Sequence, residues 1–217
     1  MSGNVKHFLW SLLVLLPGAS LADNSFEGTW VLRPELTTFL PHTVDLLIER
    51  NTYRRTDCGD AIEVPANGAD QPINGQPLFD SMAVRLVDKH KVEVVQKFKG
   101  KLAWKGTYTV SRDQRQMTLG YEDDRASNPV SGTLQYSRAG EPLSGAHSLS
   151  GSWLAEKLIR LSPSALTLRI EAVDKGLGLQ WSDGRRVESN LDGKYYPLSG
   201  YLPEAAVSVL QDRKSVV

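Results

Sequence analysis

The chain has 217 residues, of which 41% are hydrophobic and 23% charged, with 25 Lys and Arg balanced by 25 Asp and Glu. That length holds one or two domains, and the composition is that of an ordinary globular protein, neither disordered nor membrane-embedded. A net charge of zero excludes a global electrostatic pull toward nucleic acid or anionic membrane.

The chain opens with Lys6, an apolar run from Phe8 to Leu16, then Pro17-Gly18 and the small-residue approach Ala19-Ser20-Leu21-Ala22. These are the three regions of a secretory signal peptide, with cleavage expected after Ala22. The run is too short to cross roughly 30 Å of hydrocarbon as a helix. Residues 1–22 are therefore read as a leader, and the destination as periplasmic or extracellular. Removing them takes away Lys6 and no acidic residue, which leaves a net charge of −1. Cys58 is the sole cysteine, so an internal disulfide is excluded, and it is read as a small core or strand residue.

After Ala22 the prevailing period is two. Val44, Leu46 and Ile48 alternate with polar or neighbouring positions. So do Leu102, Trp104, Tyr108 and Val110, then Met117, Leu119 and Tyr121, then Leu134 and Tyr136. Such alternation marks strands with one buried face. Turn signals punctuate it at Asn67-Gly68, Lys99-Gly100-Lys101, Arg112-Asp113-Gln114, Ser131-Gly132 and Gly140-Glu141-Pro142. Strands are expected near 29–32, 43–50, 52–57, 61–65, 81–87, 91–98, 102–110, 116–121 and 132–137. The segment 33–42, with Pro34 and Pro41, reads as a loop with one helical turn at Glu35–Phe39. A meander of this many strands closes most naturally on itself, since closure removes exposed edges.

A second set of signals follows the first. Gly28-Thr29-Trp30 returns as Gly151-Ser152-Trp153, and Pro72-Ile73-Asn74-Gly75 as Pro197-Leu198-Ser199-Gly200. Val44, Leu46 and Ile48 are matched to Leu166, Leu168 and Ile170, and Val84-Arg85-Leu86 to Val207-Ser208-Val209. This is the mark of a tandem repeat. Residues 23–143 form the first copy, 144–150 a linker and 151–217 a truncated second copy. Its strands are expected near 151–154, 165–172, 177–182, 185–191 and 206–211, with a possible helix at Leu154–Leu161. By the repeat offset, roughly 45 residues of a complete second barrel are wanting. Two molecules pairing through the unfinished copy would supply another way to cover its edge.

A Gly-x-Trp before the first strand of a secreted meander resembles the lipocalin and wider calycin group. The matching residues are Gly28 and Trp30, and again Gly151 and Trp153. The stretch Asp192-Gly193-Lys194-Tyr195-Tyr196-Pro197-Leu198-Ser199-Gly200 resembles tandem lipocalin-like repeats of secreted bacterial proteins of unassigned activity. The resemblance implies an up-and-down barrel that takes a small apolar molecule at one end, with the Trp closing the other. Gly28, Trp30, Gly151 and Trp153 are accordingly read as barrel-closure residues. The chain departs from the lipocalin pattern in having no Thr-Asp-Tyr-type motif, no flanking C-terminal helix and no disulfide.

No His-x-His, Cys-x-x-Cys or His-Glu-x-x-His spacing occurs, so no metal is expected. Nor is there a Gly-x-Ser-x-Gly elbow or a Gly-rich phosphate loop, so neither a catalytic set nor a cofactor is expected. Glu122-Asp123-Asp124 reads as a solvated turn. The lysines 89, 91, 97, 99, 101 and 105, interleaved with Phe98 and Trp104, read as a solubilising face before an anion or polysaccharide site. If the meander closes, Trp104, Tyr108, Met117, Tyr121 and Tyr136, with Tyr53, point inward as candidate ligand contacts. About eight strands leave an interior that side chains fill or that holds one small ligand, and both outcomes stay open. The fold class is all-β. The functional expectation is a secreted, non-enzymatic protein binding a small apolar or amphipathic molecule. The alternative is a cell-envelope module that binds protein or polysaccharide through outer strand faces or the second copy's unpaired edge.

Overall fold

The computed structural model describes residues 27–39, 43–56, 61–174, 176–202 and 205–210. The expected leader, His42 and Cys58 lie outside the described residues. The strands in chain order are β1 (Gly28–Val31), β2 (Thr43–Glu49), β3 (Thr52–Arg55), β4 (Ile62–Pro65), β5 (Gln71–Pro72), β6 (Ser81–Asp88), β7 (Lys91–Phe98) and β8 (Lys101–Val110). They continue as β9 (Gln116–Asp123), β10 (Val130–Ala139), β11 (Gly151–Leu161), β12 (Thr167–Val173), β13 (Gly176–Trp181), β14 (Arg186–Asn190), β15 (Asp192–Pro197) and β16 (Ala206–Leu210). Single 3-10 turns stand at Pro34–Leu36 and Pro163–Ala165. The fold is all-β, and no described helix is long and apolar enough to cross a membrane.

One antiparallel sheet of ten strands, in the order β4-β3-β2-β11-β10-β9-β8-β7-β6-β5, curls into a nearly closed barrel. Its seam is drawn together by a bridge between Asn67 and Arg85 and by the Gly68 N–H donating to the Val84 carbonyl at 2.7 Å. The alternation read from the sequence becomes the buried face: Val44, Leu46 and Ile48 on β2, Val92 and Val94 on β7, Met117 and Leu119 on β9 all join one core cluster. Two-residue turns hold the register. Lys99 and Gly100 both have positive φ between Phe98 and Lys101, and so do Arg50 and Asn51 between Glu49 and Thr52. Positive φ at both central positions gives a turn whose twist matches the strands it joins.

A second sheet, β1-β12-β13-β14, and the hairpin β15–β16 are smaller, consistent with an incomplete second copy. Their pairings follow the barrel's plan. Trp153 faces Val44 in the barrel and Trp30 faces Leu168 in the second sheet; Tyr53 faces Ile48, and Leu177 faces Ala172. Pro72 faces Ser81, and Pro197 faces Ala206. These registers correct the match by two residues in two places. By pairing position Val44 is matched by Leu168 rather than Leu166, and Val84 by Val209 rather than Val207. A shift of two keeps every side chain on its face, which is why periodicity alone did not detect it.

β11, which follows the connection 140–150, lies in the barrel wall between β10 and β2, while β1 lies in the second sheet against β12. The stretch Leu154–Leu161 is strand rather than helix. β11 carries two bulges, at Glu156 and Ile159, each unpaired while its neighbours face successive residues of β10. β11 follows β10 from Ser152 to Leu161 but pairs with β2 only from Gly151 to Leu154, which faces Thr43, the first residue of β2.

The two ends of the barrel differ. At one end the turns after β2, β6 and β8 meet the connection 140–150, and Trp153 fills the middle, wholly buried. Its indole N–H donates to the Leu149 carbonyl at 2.8 Å. The Arg138 guanidinium lies 4.1 Å from the indole centroid and donates to the carbonyls of Gln114, Ser148 and Ser150 at 2.6–2.7 Å. His147 Nε2 meets the Asp88 carbonyl at 2.8 Å, and the Ser150 hydroxyl accepts from the Ile48 N–H at 2.9 Å. This end is plugged. The second sheet attaches at the other end, where Asn128 N–H donates to the Asp183 carbonyl at 2.8 Å and Ser127 N–H to the Gly200 carbonyl at 3.1 Å.

Candidate ligand site

Of the inward residues singled out in the sequence, Tyr53, Tyr108, Met117 and Tyr136 sit inside the core cluster and are nearly inaccessible, Met117 completely so. The three tyrosines all have interaction partners, so none is left waiting for a ligand. Trp104 and Tyr121 differ: each is partly buried and packs on the edge of that cluster, together with Leu134. Strand register explains the division. Tyr108 pairs with Leu119 and Tyr136 with Met117 near the plug, whereas Trp104 pairs with Asp123, and Tyr121 with Gly106 and Gly132, toward the opposite end.

Two glycines shape this upper level. A Cβ on Gly106 would stand 2.8 Å from Trp104 Cζ2 and 2.9 Å from Leu119 Cδ1, and one on Gly132 would stand 2.6 Å from the Tyr121 ring. The indole and the phenol therefore lie across bare backbone, Trp104 along its own strand and Tyr121 over the neighbouring one. Glycine within a strand marks such a close approach. Ser131-Gly132 reads as a turn in the sequence but lies inside β10, as Gly106 lies inside β8: both glycines serve close packing and not chain reversal. Burial raises the Tyr121 hydroxyl above the usual tyrosine range, and the nearby Asp123 carboxylate adds to it.

The remaining closure residues separate. Trp153 and Gly151 belong to the barrel plug; Gly28 and Trp30 belong to β1 on the second sheet, where Trp30 is 38% exposed. The notion that Trp30 closes the first barrel is corrected by that pairing: β12, not β2, offers the edge it occupies.

Charged groups rim the level of Trp104 and Tyr121. Asp123 pairs with Arg125 through both guanidinium and backbone N–H bonds, the latter at 3.0 Å. The same Asp-x-Arg turn recurs at Asp183 and Arg185, whose Nε lies 2.6 Å from the carboxylate. Both guanidinium groups lie against Tyr201, at 5.9 and 5.6 Å from its centroid, which ties the second sheet to the barrel end. Burial raises the Tyr201 hydroxyl as well. Among the described residues no group of His, Cys, Asp and Glu is placed to hold a metal. Of the lysine face, Lys97 pairs with Asp70 at 2.5 Å and Lys105 with Glu122 at 3.0 Å.

Asp124 breaks the expectation of a solvated turn. Its Oδ2 is buried and has no hydrogen-bond partner among the described residues. Burial first, then the neighbouring Glu122 carboxylate, raises its carboxyl above the usual range. A carboxyl raised on folding stabilises while protonated, and that contribution is lost as the pH climbs through its folded value. Asp124→Asn is therefore expected to raise the thermal midpoint at about pH 7 and to leave it unchanged near pH 3, below the unfolded value of about 3.9. Paired melting curves check this; an equal gain at both pH values would assign the effect to something other than ionisation.

Beyond the stretch of β11 that pairs with β2, an open groove of about 590 Å³ runs between Pro34, Glu35 and Thr37 on one side and residues 157–161 of β11 on the other. Leu158 on its wall faces Leu134 across the strands.

No known family, curated protein or solved structure matches this chain.

Proposed function

We propose that this is a secreted, lipocalin-like tandem-repeat protein whose first barrel holds a small apolar or amphipathic molecule. The observation that carries the reading is the half-buried pair Trp104 and Tyr121 above a sealed core, at the end opposite the Trp153 plug. Part-exposed aromatic side chains on a sealed core, beside the Asp123–Arg125 ion pair, supply the apolar wall and the placed polar groups of a small-molecule site. The repeated registers support the tandem-repeat part of the reading. The N-terminal leader pattern supports secretion to the periplasm or beyond.

Native mass spectrometry of the signal-cleaved protein, purified from a bacterial periplasm, tests this. A discrete added mass is expected on the folded chain, lost on denaturation and lost from Trp104→Ala. A bare monomer would count against the reading.

A second reading rests on β1. All four of its residues are exposed, Val31 at 63%, and among the described residues it pairs on one edge only. An exposed strand edge is a template for another strand. A cell-envelope partner or a second copy of the chain taking that edge would make the protein an interaction module. A bare dimer in the same spectrum would favour this reading.

A further inference from the structure

We infer that the ligand is a flat-ringed molecule laid on Trp104 and Tyr121, not a long acyl chain threaded down the barrel. The inference rests on the reading of the first barrel as a ligand holder.

Depth is the first consideration. On the plug side of Tyr121 the barrel is filled: Met117 and Val92 are completely buried and Tyr108 is 2% exposed, and beside the two aromatic side chains Met82, Val84 and Val94, in the rows of Trp104 and Tyr121, are at most 2% exposed as well. These side chains come from β6, β7, β8 and β9 and belong to the one core cluster. An extended chain entering from the end opposite the plug would have to displace packed core, at a cost of the order seen for overpacking a well-filled interior. A molecule laid on the exposed faces of Trp104 and Tyr121 leaves that packing in place.

Surface shape is the second. Gly106, Tyr121 and Gly132 lie side by side on β8, β9 and β10, and the Trp104 indole covers the first of these as the Tyr121 phenol covers the third. Because neither glycine has a Cβ, both rings rest on the wall instead of standing out from it. Each ring held against the wall in this way offers its face, and offset stacking on a ring face favours a planar partner over a flexible chain. Leu134 and Leu158 continue the apolar surface toward the side groove. The Asp123–Arg125 pair, one step further along from Trp104 and Tyr121, offers polar groups to the edge of a ring and not to its face.

The probes that separate the possibilities are N-phenyl-1-naphthylamine, a neutral dye with a flat naphthalene ring, and palmitate, a linear chain, each titrated into the full signal-cleaved protein. One dye is expected to bind per chain with increased emission, and palmitate should not displace it. Trp104→Leu should weaken the dye by about tenfold or more, and Gly106→Ala, which pushes the indole off the wall, should weaken it by several-fold. Should Trp104→Leu fail to fold, as judged by far-ultraviolet circular dichroism, Tyr121→Leu carries the same test. Palmitate binding that displaces the dye would overturn the ring preference and leave the ligand-holding reading intact. Binding of neither probe, with a bare mass in the native spectrum, would overturn both.

Discussion

Trp153→Ala is expected to destabilise the barrel by about 3–5 kcal/mol, the range for truncating a buried Trp that leaves a cavity. The side chain is wholly enclosed, and three interactions converge on it: the core packing, the N–H bond to the Leu149 carbonyl and the Arg138 guanidinium over the ring. Leu149 is itself completely buried, so its carbonyl would be left without the indole donor where water does not readily replace it. Trp30→Ala, at the repeat-equivalent position, is expected to cost no more than about 1 kcal/mol, because that side chain is partly exposed on a strand held along one edge. Urea unfolding of both variants gives the comparison. Similar losses would mean that β1 contributes to the barrel as much as β11 does.

That contrast also marks where the sequence was legible. Strands with regular alternation, such as Met117-Thr118-Leu119-Gly120-Tyr121, reveal both their type and their inward face, because period two is a local property. Most of the barrel follows from such runs and the turns between them. Pairing across the repeat is not local. Gly28-Thr29-Trp30 and Gly151-Ser152-Trp153 carry the same signal and match the same kind of edge, so nothing in either triplet says which sheet it joins. Leu154–Leu161 misleads for a different reason. Its leucines at 154, 158 and 161 are spaced four and three apart, which is a helical interval, because the bulges at Glu156 and Ile159 each insert a residue into the strand period. The short strand β5 and the strand β15 were also missed. β5 has only two residues, and β15 begins Asp192-Gly193, a pair that reads as a turn.

The candidate site was readable in identity but not in depth. Trp104, Tyr108, Met117, Tyr121, Tyr136 and Tyr53 share a parity, and parity sorts in from out. It cannot sort the plugged end from the open one, since that depends on which loop returns beneath the barrel. Here the connection 140–150 brings Leu149 and Trp153 under Met117 and Tyr136, and the same six residues divide into four packed side chains and two accessible ones.

A chain ending at Ser150 is expected not to fold, whereas one ending at Ser162 is expected to keep the barrel. The sequence places the boundary between copies at 144–150, and cutting there removes all of β11. The loss would expose the edges of β10 and β2 together and take Trp153 out of the plug. It would also free Arg138 and the Ser150 carbonyl from the interactions that join loop to wall. Ending at Ser162 retains β11 and the paired bonds between Ser131 and Ser162, at 2.7 and 3.0 Å, that fasten its far end. In the chain ending at Ser162, of the strands that remain, only β1 loses its strand partner, and β1 contributes little burial. Cooperative thermal unfolding monitored by near-ultraviolet circular dichroism distinguishes the two: a sharp transition for the longer chain and none for the shorter. If the chain ending at Ser150 also melted cooperatively, β11 would be an accessory strand and the boundary read from the sequence would be a boundary of folding. If neither melted cooperatively, the barrel would depend on the second sheet as well, through the Asp-x-Arg turns that meet at Tyr201.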